Sequence, residues 1–316
     1  MKLIHISDLH FTTFFRTNNL FQIEKVLKHA IDLKGDHIII TGDLTDNADP
    51  KDFLILRNLF EKLKLIDGNR FSLVIGNHDI FGGAQSAEDI FTFPEKCSKI
   101  NYDQKVREFY NYFPELFDNS IYLNHKSIFP FAKLIKNFLI IGLNSIEPYS
   151  RINNPFASNG KIGIPQLNET YGIFERYKDE NFRKIVLVHH HFNKIKISES
   201  ASNKFWQKIE KQTMKLKKKK RLLKFLNQFG VELVLHGHYH ASNDYSRKGI
   251  RFSNAGASLK GLENSNSFLN VIDITDDDIN IKVEKIPNSK MIESFNLDFV
   301  YQNIKDKALL ELEFSK

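Results

Sequence analysis

The first part of the chain alternates short apolar strands with amphipathic helices, and this alternation limits the folds it can adopt. Residues 1–7, 37–41 and 71–75 are short apolar runs, which predict buried strands. Between them, residues 19–33 and the segment that follows Pro50 carry apolar residues at helical spacing. Three strands alternating with two helices predict a layered α/β fold.

The rest of the chain continues this pattern after an aromatic-rich interruption. Residues 81–131 are rich in Phe and Tyr, and we interpret them as a helical insert. The insert either overhangs the site as a cap or packs as a subdomain without substrate contact. Later segments predict a hairpin at 134–143, strands at 185–188 and 231–235, a helix at 204–229 and a closing hairpin of 268–274 and 279–286. We expect one domain over residues 1–290 and a C-terminal tail over 291–316.

Composition is that of a soluble globular protein, with 41% hydrophobic and 26% charged residues. No apolar run approaches the roughly 18 residues that a membrane span needs. The single cysteine, Cys97, excludes an internal disulfide framework and predicts a cytoplasmic protein. The net charge of +7 favours an anionic partner.

Five strand ends carry side chains that are able to bind metal ions. They are Asp8-x-His10, Gly42-Asp43, Gly76-Asn77-His78-Asp79, His189-His190-His191 and His236-Gly237-His238. In open α/β sheets, ligands bind beyond the carboxyl ends of the strands. A turn or a buried core histidine would explain any one fragment alone. Five such coincidences at one sheet edge are improbable, and the pattern therefore predicts a shared site.

The donor types indicate which ions this site would hold. Carboxylates, imidazoles and an amide oxygen together suit manganese, iron or zinc, and without thiolates they do not resemble structural zinc. There are enough ligands for two ions. Two ions about 3.5–4 Å apart can share a carboxylate and a water and neutralise a phosphoryl group during in-line displacement. The sequence therefore predicts a site for two divalent metal ions that is suited to a phosphoryl group.

The ordered series Asp-x-His, Gly-Asp, Gly-Asn-His-Asp, His and Gly-His-x-His resembles the calcineurin-like metallophosphoesterases over residues 1 to about 256. Chain length and histidine spacing are most similar to bacterial class III cyclic-nucleotide phosphodiesterases and glycerophosphodiesterases. The resemblance implies an α/β fold built as a four-layer α/β/β/α sandwich with a helical insert. It also implies hydrolysis of a phosphodiester by a water that two metal ions activate.

The resemblance further implies seven metal ligands. They are Asp8, His10, Asp43, Asn77, His190, His236 and His238. Asp43 would bridge the two ions, because one carboxylate has two oxygens to share. The first ion would also take Asp8, His10 and His238, and the second would take Asn77, His190 and His236.

His78 and Asp79 are the catalytic residues that the resemblance implies. His78 would face the phosphoryl group and stabilise its charge or protonate the leaving oxygen. Asp79 would fix the tautomer of His78. We interpret Asp46 as a turn or supporting residue, and His240 as a residue at the rim of the site.

The choice of His190 has an alternative. In the family, this ligand histidine is commonly followed two residues later by proline, and that register places Phe192 at the proline position. His189, directly at the strand end, is the alternative ligand, and His191 would then face the substrate.

The basic run from Lys215 to Arg221 predicts a partner surface or a solvated helix face. A basic amphipathic helix suits anionic membrane lipids, which would make the protein peripheral to a membrane, or nucleic-acid phosphates. The alternative enzymes are accordingly a membrane-surface pyrophosphatase of the UDP-2,3-diacylglucosamine type and a DNA nuclease. That pyrophosphatase family tends to carry arginine where His78 stands. A non-catalytic scaffold is the remaining alternative, and the complete ligand set argues against it.

Overall fold

The computed structural model describes residues 1–14, 19–84, 87–124, 127–193, 214–239, 242–256, 258–259 and 266–288. Its strands are β1 (Lys2–Ile6), β2 (His37–Thr41), β3 (Phe71–Val74), β4 (Phe131–Ile135), β5 (Phe138–Gly142), β6 (Arg183–Leu187), β7 (Val231–His236), β8 (Asn243–Arg247), β9 (Ile250–Asn254), β10 (Asn266–Ile274) and β11 (Ile279–Pro287). Its helices are α1 (Asn19–Asp32), α2 (Pro50–Lys62), α3 (His78–Phe81), α4 (Ala87–Ser98), α5 (Tyr102–Tyr112), α6 (Ile164–Arg176) and α7 (Lys219–Gln228), with a 3₁₀ turn at Pro114–Phe117.

The strands form two mixed sheets. The first has the order β11-β10-β1-β2-β3, and the second has the order β4-β5-β6-β7-β9-β8. Within the first sheet β1, β2 and β3 are parallel, and within the second β5, β6, β7 and β9 are parallel. The carboxyl ends of each parallel set therefore lie at one edge of its sheet, where a ligand site is expected.

Two apolar cores show how the layers stack. Ile140 and Ile185 of the second sheet belong to a core that also contains α1, α2 and the first sheet. Their neighbours Ile141 and Val186 belong to a second core together with α6 and α7. Because successive strand residues point to opposite faces, the second sheet is covered on both sides. The fold is an α/β sandwich of two mixed sheets and helices, which confirms the predicted α/β class.

Local signals explain where two of the helices begin. Asp49 caps α2 by accepting a hydrogen bond from the Lys51 amide, and Pro50 occupies the first turn. Helix α7 begins at Lys219, after Lys218 adopts a left-handed conformation with φ of 54°. The sequence predicts a helix over 204–229, but residues 214–218 are not helical and the described helix covers only Lys219–Gln228. Residues 204–213 lie outside the described residues.

The insert packs against the first sheet and α2. Phe109 and Phe113 of the insert contact Phe53 of α2 through edge-to-face rings. Lys133 is buried and donates hydrogen bonds to three backbone carbonyls, one of them that of Leu116 in the 3₁₀ turn. These contacts fasten the insert to the body of the domain.

In the described part of the chain, no helix combines the length and the apolar character that a membrane crossing requires. The predicted tail, 291–316, lies outside the described residues.

Candidate metal centre

The turns after β1, β2 and β7 present their polar side chains from a left-handed backbone. Asp8, His10, Asp43 and His238 have φ angles of 55°, 45°, 51° and 67°. Residues other than glycine rarely adopt this conformation, and where they do, it often marks a functional site. Each turn thus directs a carboxylate or an imidazole to a fixed position.

Two glycines let the loops of the site approach closely. A Cβ atom on Gly76 would lie 2.1 Å from Oδ1 of Asp43, and one on Gly237 would lie 1.8 Å from Oγ of Ser7. Gly237 follows β7 in the second sheet, and Ser7 follows β1 in the first. The absence of a side chain at Gly237 therefore allows the two sheets to meet at the site.

The first group of candidate ligands contains Asp8, His10 and Asp43, whose donor atoms lie within 4.8 Å of one another. Nε2 of His10 lies 4.0 Å from Oδ1 of Asp8 and 3.8 Å from Oδ2 of Asp43. Nδ1 of His10 lies 3.2 Å from Oδ1 of Asp46, which accepts its hydrogen bond. With the proton on Nδ1, the neutral ring directs the lone pair of Nε2 toward Asp8 and Asp43, and a carboxylate orients the ring as in many metal sites.

The second group contains Asp43, His189 and His238, whose donor atoms also lie within 4.8 Å of one another. Nε2 of His189 lies 3.3 Å from Oδ2 of Asp43, 3.1 Å from Oδ1 of Asn77 and 3.0 Å from Nδ1 of His238. Asp43 thus belongs to both groups, which is where a carboxylate shared by two ions would lie.

The orientation of His189 suits a metal ligand. Nδ1 of His189 lies 2.8 Å from the carbonyl oxygen of Thr41, which can only accept a hydrogen bond. Nδ1 therefore carries the proton, and in the neutral ring Nε2 offers its lone pair toward Asp43 and Asn77. His189 is fully buried, so this geometry is held by packing on all sides.

His190, the ligand preferred from the sequence, lies in a different environment. Its Nε2 donates to the Ser158 carbonyl at 3.2 Å, and its Nδ1 accepts from the Ser145 hydroxyl at 2.8 Å. Both ring nitrogens are thus engaged outside the two groups. Gly160 packs directly against this ring, because a Cβ there would lie 2.4 Å from Cγ of His190. The structure therefore corrects the preference: His189 joins the candidate ligands, and His190 supports the neighbouring loop.

His236, the other ligand predicted after β7, is also directed away from the two groups. Its Nε2 lies 2.8 Å from the hydroxyl of Tyr245, and the ring lies beside Phe192 and Phe252. The sequence carries a signal for this placement of His236, because Gly237-His238-Tyr239-His240 also has the Gly-His-x-His spacing. In that register His238 and His240 replace His236 and His238. His240, which we predicted at the rim, lies outside the described residues.

His78 is held at the edge of the site by Asp46. Nδ1 of His78 lies 3.1 Å from Oδ1 of Asp46 and 3.0 Å from the Asp46 carbonyl oxygen. The side chain is 23% exposed, while that of the candidate ligand Asp43 is 1% exposed. His78 is therefore the residue best placed to meet a ligand that enters from solvent.

The predicted partner of His78, Asp79, has another role in the structure. Its carboxylate accepts hydrogen bonds from the backbone amides of Gly76 and Thr45, each at 2.9 Å. Asp79 therefore joins the loop after β3 to the loop after β2. The role predicted for Asp79 belongs to Asp46, which orients both His10 and His78. The sequence signal for this was the position of Asp46 three residues after Asp43.

The surroundings of the site keep two of its carboxylates ionised. Burial opposes ionisation of Asp43, but His189 and His78 outweigh it and hold the pKa of this carboxyl well below its usual range. Burial likewise opposes ionisation of Asp46, but hydrogen bonds from His10 and His78 lower its pKa. In return, the carboxylates overcome burial and raise the pKa of His78 and of His189 to about 9. Ionised, buried carboxylates of this kind attract positive charge.

Residues 1–242 match the family model described as calcineurin-like phosphoesterase. The chain belongs to this family, which means a metal-dependent phosphoester hydrolase with a dinuclear divalent metal centre, and the two ligand groups agree with such a centre.

A dimetal phosphatase from Danio rerio shows the same fold, with a TM-score of 0.56 at 12% sequence identity over 92% of this chain and 99% of that one. An archaeal phosphodiesterase has a TM-score of 0.40 at 10% identity, and that match covers 90% of this chain and 100% of that one. No curated protein sequence matches the chain.

Proposed function

We propose that this chain is a phosphodiesterase that uses two divalent metal ions. The observation that carries the proposal is the sharing of Asp43 between two groups of candidate ligands. Asp8 and His10 lie in one group, and His189 and His238 lie in the other. A carboxylate placed in this way can serve two ions at once.

The residues present fit such ions. Carboxylate oxygens, imidazole nitrogens and the Asn77 amide oxygen form a mixed donor set that suits manganese, iron or zinc. Asp8, His10 and Asp43 would hold one ion, and Asp43, Asn77, His189 and His238 the other. The Gly-His-x-His spacing that starts at Gly237 adds His240 to the first ion. When bound, the two ions would supply an activated water and neutralise charge on the phosphoryl group.

The chain contributes orientation and a proton donor. Asp46 fixes the ring of His10, and the Thr41 carbonyl fixes the ring of His189, so that each Nε2 keeps one direction. His78 is oriented by the same Asp46 and is partly exposed. We assign to His78 the contact with the phosphoryl group, where an imidazolium would stabilise negative charge or protonate the leaving oxygen.

The choice of a diester over a monoester rests on the sequence. Chain length and histidine spacing are most similar to bacterial class III cyclic-nucleotide phosphodiesterases and glycerophosphodiesterases.

The test compares bis(p-nitrophenyl) phosphate with p-nitrophenyl phosphate on protein reconstituted with manganese, iron or zinc. We expect two ions per chain by metal analysis and a higher kcat/KM for the diester. A higher kcat/KM for the monoester would contradict the phosphodiesterase assignment. Fully loaded protein that hydrolyses neither compound would contradict phosphoester hydrolysis by this site.

A further inference from the structure

The positive charge of the chain is concentrated in two short segments. Residues 151–164 and 214–224 together contain nine Lys or Arg and no Asp or Glu. The whole chain has 45 basic and 38 acidic residues, so outside the two segments the remaining 36 basic residues are outnumbered by 38 acidic ones. The net charge of +7 therefore comes from these two segments.

The structure joins the two segments into one surface. The Gly160 amide donates to the Lys215 carbonyl at 2.9 Å, and the Lys217 amide donates to the Gly160 carbonyl at 2.7 Å. Lys217 also forms an ion pair with Glu147, and the ammonium group of Lys219 donates to a backbone carbonyl. The other seven basic side chains are exposed: Arg151, Lys161, Lys215, Lys218, Lys220, Arg221 and Lys224.

Two apolar side chains stand out to solvent among these basic residues. Ile152 is 89% exposed, the highest value for a large apolar side chain in the described part of the chain. Ile164, the first residue of α6, is 54% exposed. Basic residues attract anionic lipid headgroups, and apolar side chains beside them can enter the boundary between headgroups and acyl chains. The combination is typical of a surface that meets a membrane.

This basic surface lies next to the candidate metal centre. A Cβ atom on Gly160 would lie 2.4 Å from Cγ of His190. The centroid of the His190 ring lies 4.3 Å from that of the candidate ligand His238. Gly160 also forms the hydrogen bonds to Lys215 and Lys217, so it connects the basic surface to the rings of the centre.

The composition of the surface favours lipid over nucleic acid. Seven of its nine basic residues are Lys, which act as point charges and suit a layer of headgroups without fixed positions. Single-stranded nucleic acids are usually bound by bases that stack on aromatic side chains. The one aromatic residue of the two segments, Phe156, is half-buried, whereas the exposed side chains are aliphatic.

We propose that residues 151–164 and 214–224 form a docking surface for an anionic lipid bilayer, which holds the metal centre at the headgroup layer. The seven exposed basic side chains attract the headgroups, and Ile152 and Ile164 enter the layer below them. The proposal goes beyond the phosphodiesterase function, because docking requires no hydrolysis.

Sedimentation of the whole chain with vesicles tests the docking surface. Wild-type protein should bind vesicles of phosphatidylcholine and phosphatidylserine but not vesicles of phosphatidylcholine alone, and the binding should weaken as salt rises. One variant replaces four exposed basic residues of both segments by glutamine: Arg151, Lys161, Lys215 and Lys218. Its affinity should fall by at least about tenfold, because each basic residue near an anionic surface contributes about fivefold.

The matched control removes the same charge from the other end of the sheets. Lys34, Lys64, Lys178 and Lys248 are exposed and precede β2, β3, β6 and β9, so they lie at the edge opposite to the candidate metal centre. Their replacement by glutamine should leave vesicle binding unchanged. An equal loss of affinity in both variants would mean that net charge attracts the vesicle, and it would overturn the docking surface.

Ile152→Ser separates a lipid surface from a nucleic-acid surface. Because Ile152 is exposed, the variant should fold normally, bind the mixed vesicles about tenfold more weakly and bind single-stranded DNA like the wild type. Wild-type protein that binds single-stranded DNA more tightly than vesicles, with no effect of Ile152→Ser on either, would assign the surface to nucleic acid and overturn the proposal. Wild-type protein that binds neither overturns it as well, while hydrolysis of bis(p-nitrophenyl) phosphate would still support the phosphodiesterase function.

Discussion

The two sheets contribute to the candidate metal centre in different ways. In the first sheet, each strand end offers few possible ligands: Asp8 and His10 after β1, Asp43 after β2, and Asn77 after β3. The structure places all four in or beside the two groups of candidate ligands. In the second sheet, the strand ends offer runs of histidines, and only some of the described ones face the site. The residues from the first sheet are the first half of the site, and those from the second sheet are the second half.

This difference shows what hydrogen-bond partners add to a sequence pattern. His189 and His190 are neighbours with the same chemistry, and both are fully buried. The Thr41 carbonyl turns His189 toward Asp43, whereas Ser145 and Ser158 engage both nitrogens of His190. A ligand is thus defined by which ring nitrogen is left available and where it points.

The largest effect is expected at Asp43, where the two halves of the site meet. Asp43→Asn should abolish hydrolysis, because an amide offers one neutral oxygen in place of a carboxylate shared by both ligand groups. Metal analysis should show loss of at least one ion per chain, with the circular dichroism spectrum unchanged. Wild-type turnover in this variant would remove the bridging role of Asp43 and with it the two-metal scheme.

The pair His189→Asn and His190→Asn tests the contrast within the second half directly. Asparagine can keep the hydrogen bond of Nδ1 but has no group at the position of Nε2. His189→Asn should therefore keep its bond to Thr41 and lose one metal ion and nearly all activity. His190→Asn should keep its bond to Ser145 and both ions, with a much smaller loss of activity. The reverse order of metal loss would restore His190 as the ligand.

For His78→Ala we expect both ions to be retained and kcat to fall by about 10²–10⁴-fold, the usual loss for an acid–base group. His78 belongs to the first half, but its partial exposure separates it from the buried ligands. Esters with very good leaving groups should be affected least if His78 donates a proton. A uniform loss across leaving groups would indicate charge stabilisation, and loss of metal would make His78 a ligand.

A smaller effect is expected at Asp46, which orients the rings of His10 and His78. Asp46→Asn should lower metal affinity or kcat by about 10–100-fold, because the neutral amide orients His10 and His78 less firmly. Asp79→Asn is the matched comparison, since Asp79 accepts hydrogen bonds from the amides of Gly76 and Thr45 and from the Thr45 hydroxyl, and its loss should affect stability more than kcat. Equal kinetic losses in the two variants would mean that Asp46 acts only through the fold of its loop.

The smallest effect on turnover is expected from the basic residues at the start of α7, which lie outside the site. Lys217 pairs with Glu147, and Lys219 approaches the Asn193 carbonyl at 3.4 Å, so both should be left intact. The variant replaces four exposed residues by glutamine: Lys218, Lys220, Arg221 and Lys224. Hydrolysis of a small aryl diester should not change.

The same variant tests whether the basic run is a partner surface. Binding of the wild type to anionic liposomes or to single-stranded DNA should weaken in the variant and should fall steeply with salt. The two probes distinguish a membrane surface from nucleic acid. Wild-type protein that binds neither at low salt would show that the run is a solvated helix face.

The sequence by itself determined the fold class and the first half of the site. Alternating strands and helices have distinct periods, and a strand end in a parallel sheet has one direction, so Asp8, His10, Asp43 and Asn77 could be placed together without coordinates. The closing hairpin, now β10 and β11, was predicted within about two residues of its ends for the same reason, which is the usual uncertainty of element boundaries.

Only the tertiary structure decided which histidines of the second half face the site and which carboxylate orients His78. Consecutive residues beyond a strand end no longer follow its alternation, so the direction of each side chain depends on partners that are distant in the chain. Thr41 lies far from His189 in sequence, and Asp46 lies far from His78, yet each fixes the ring that it contacts.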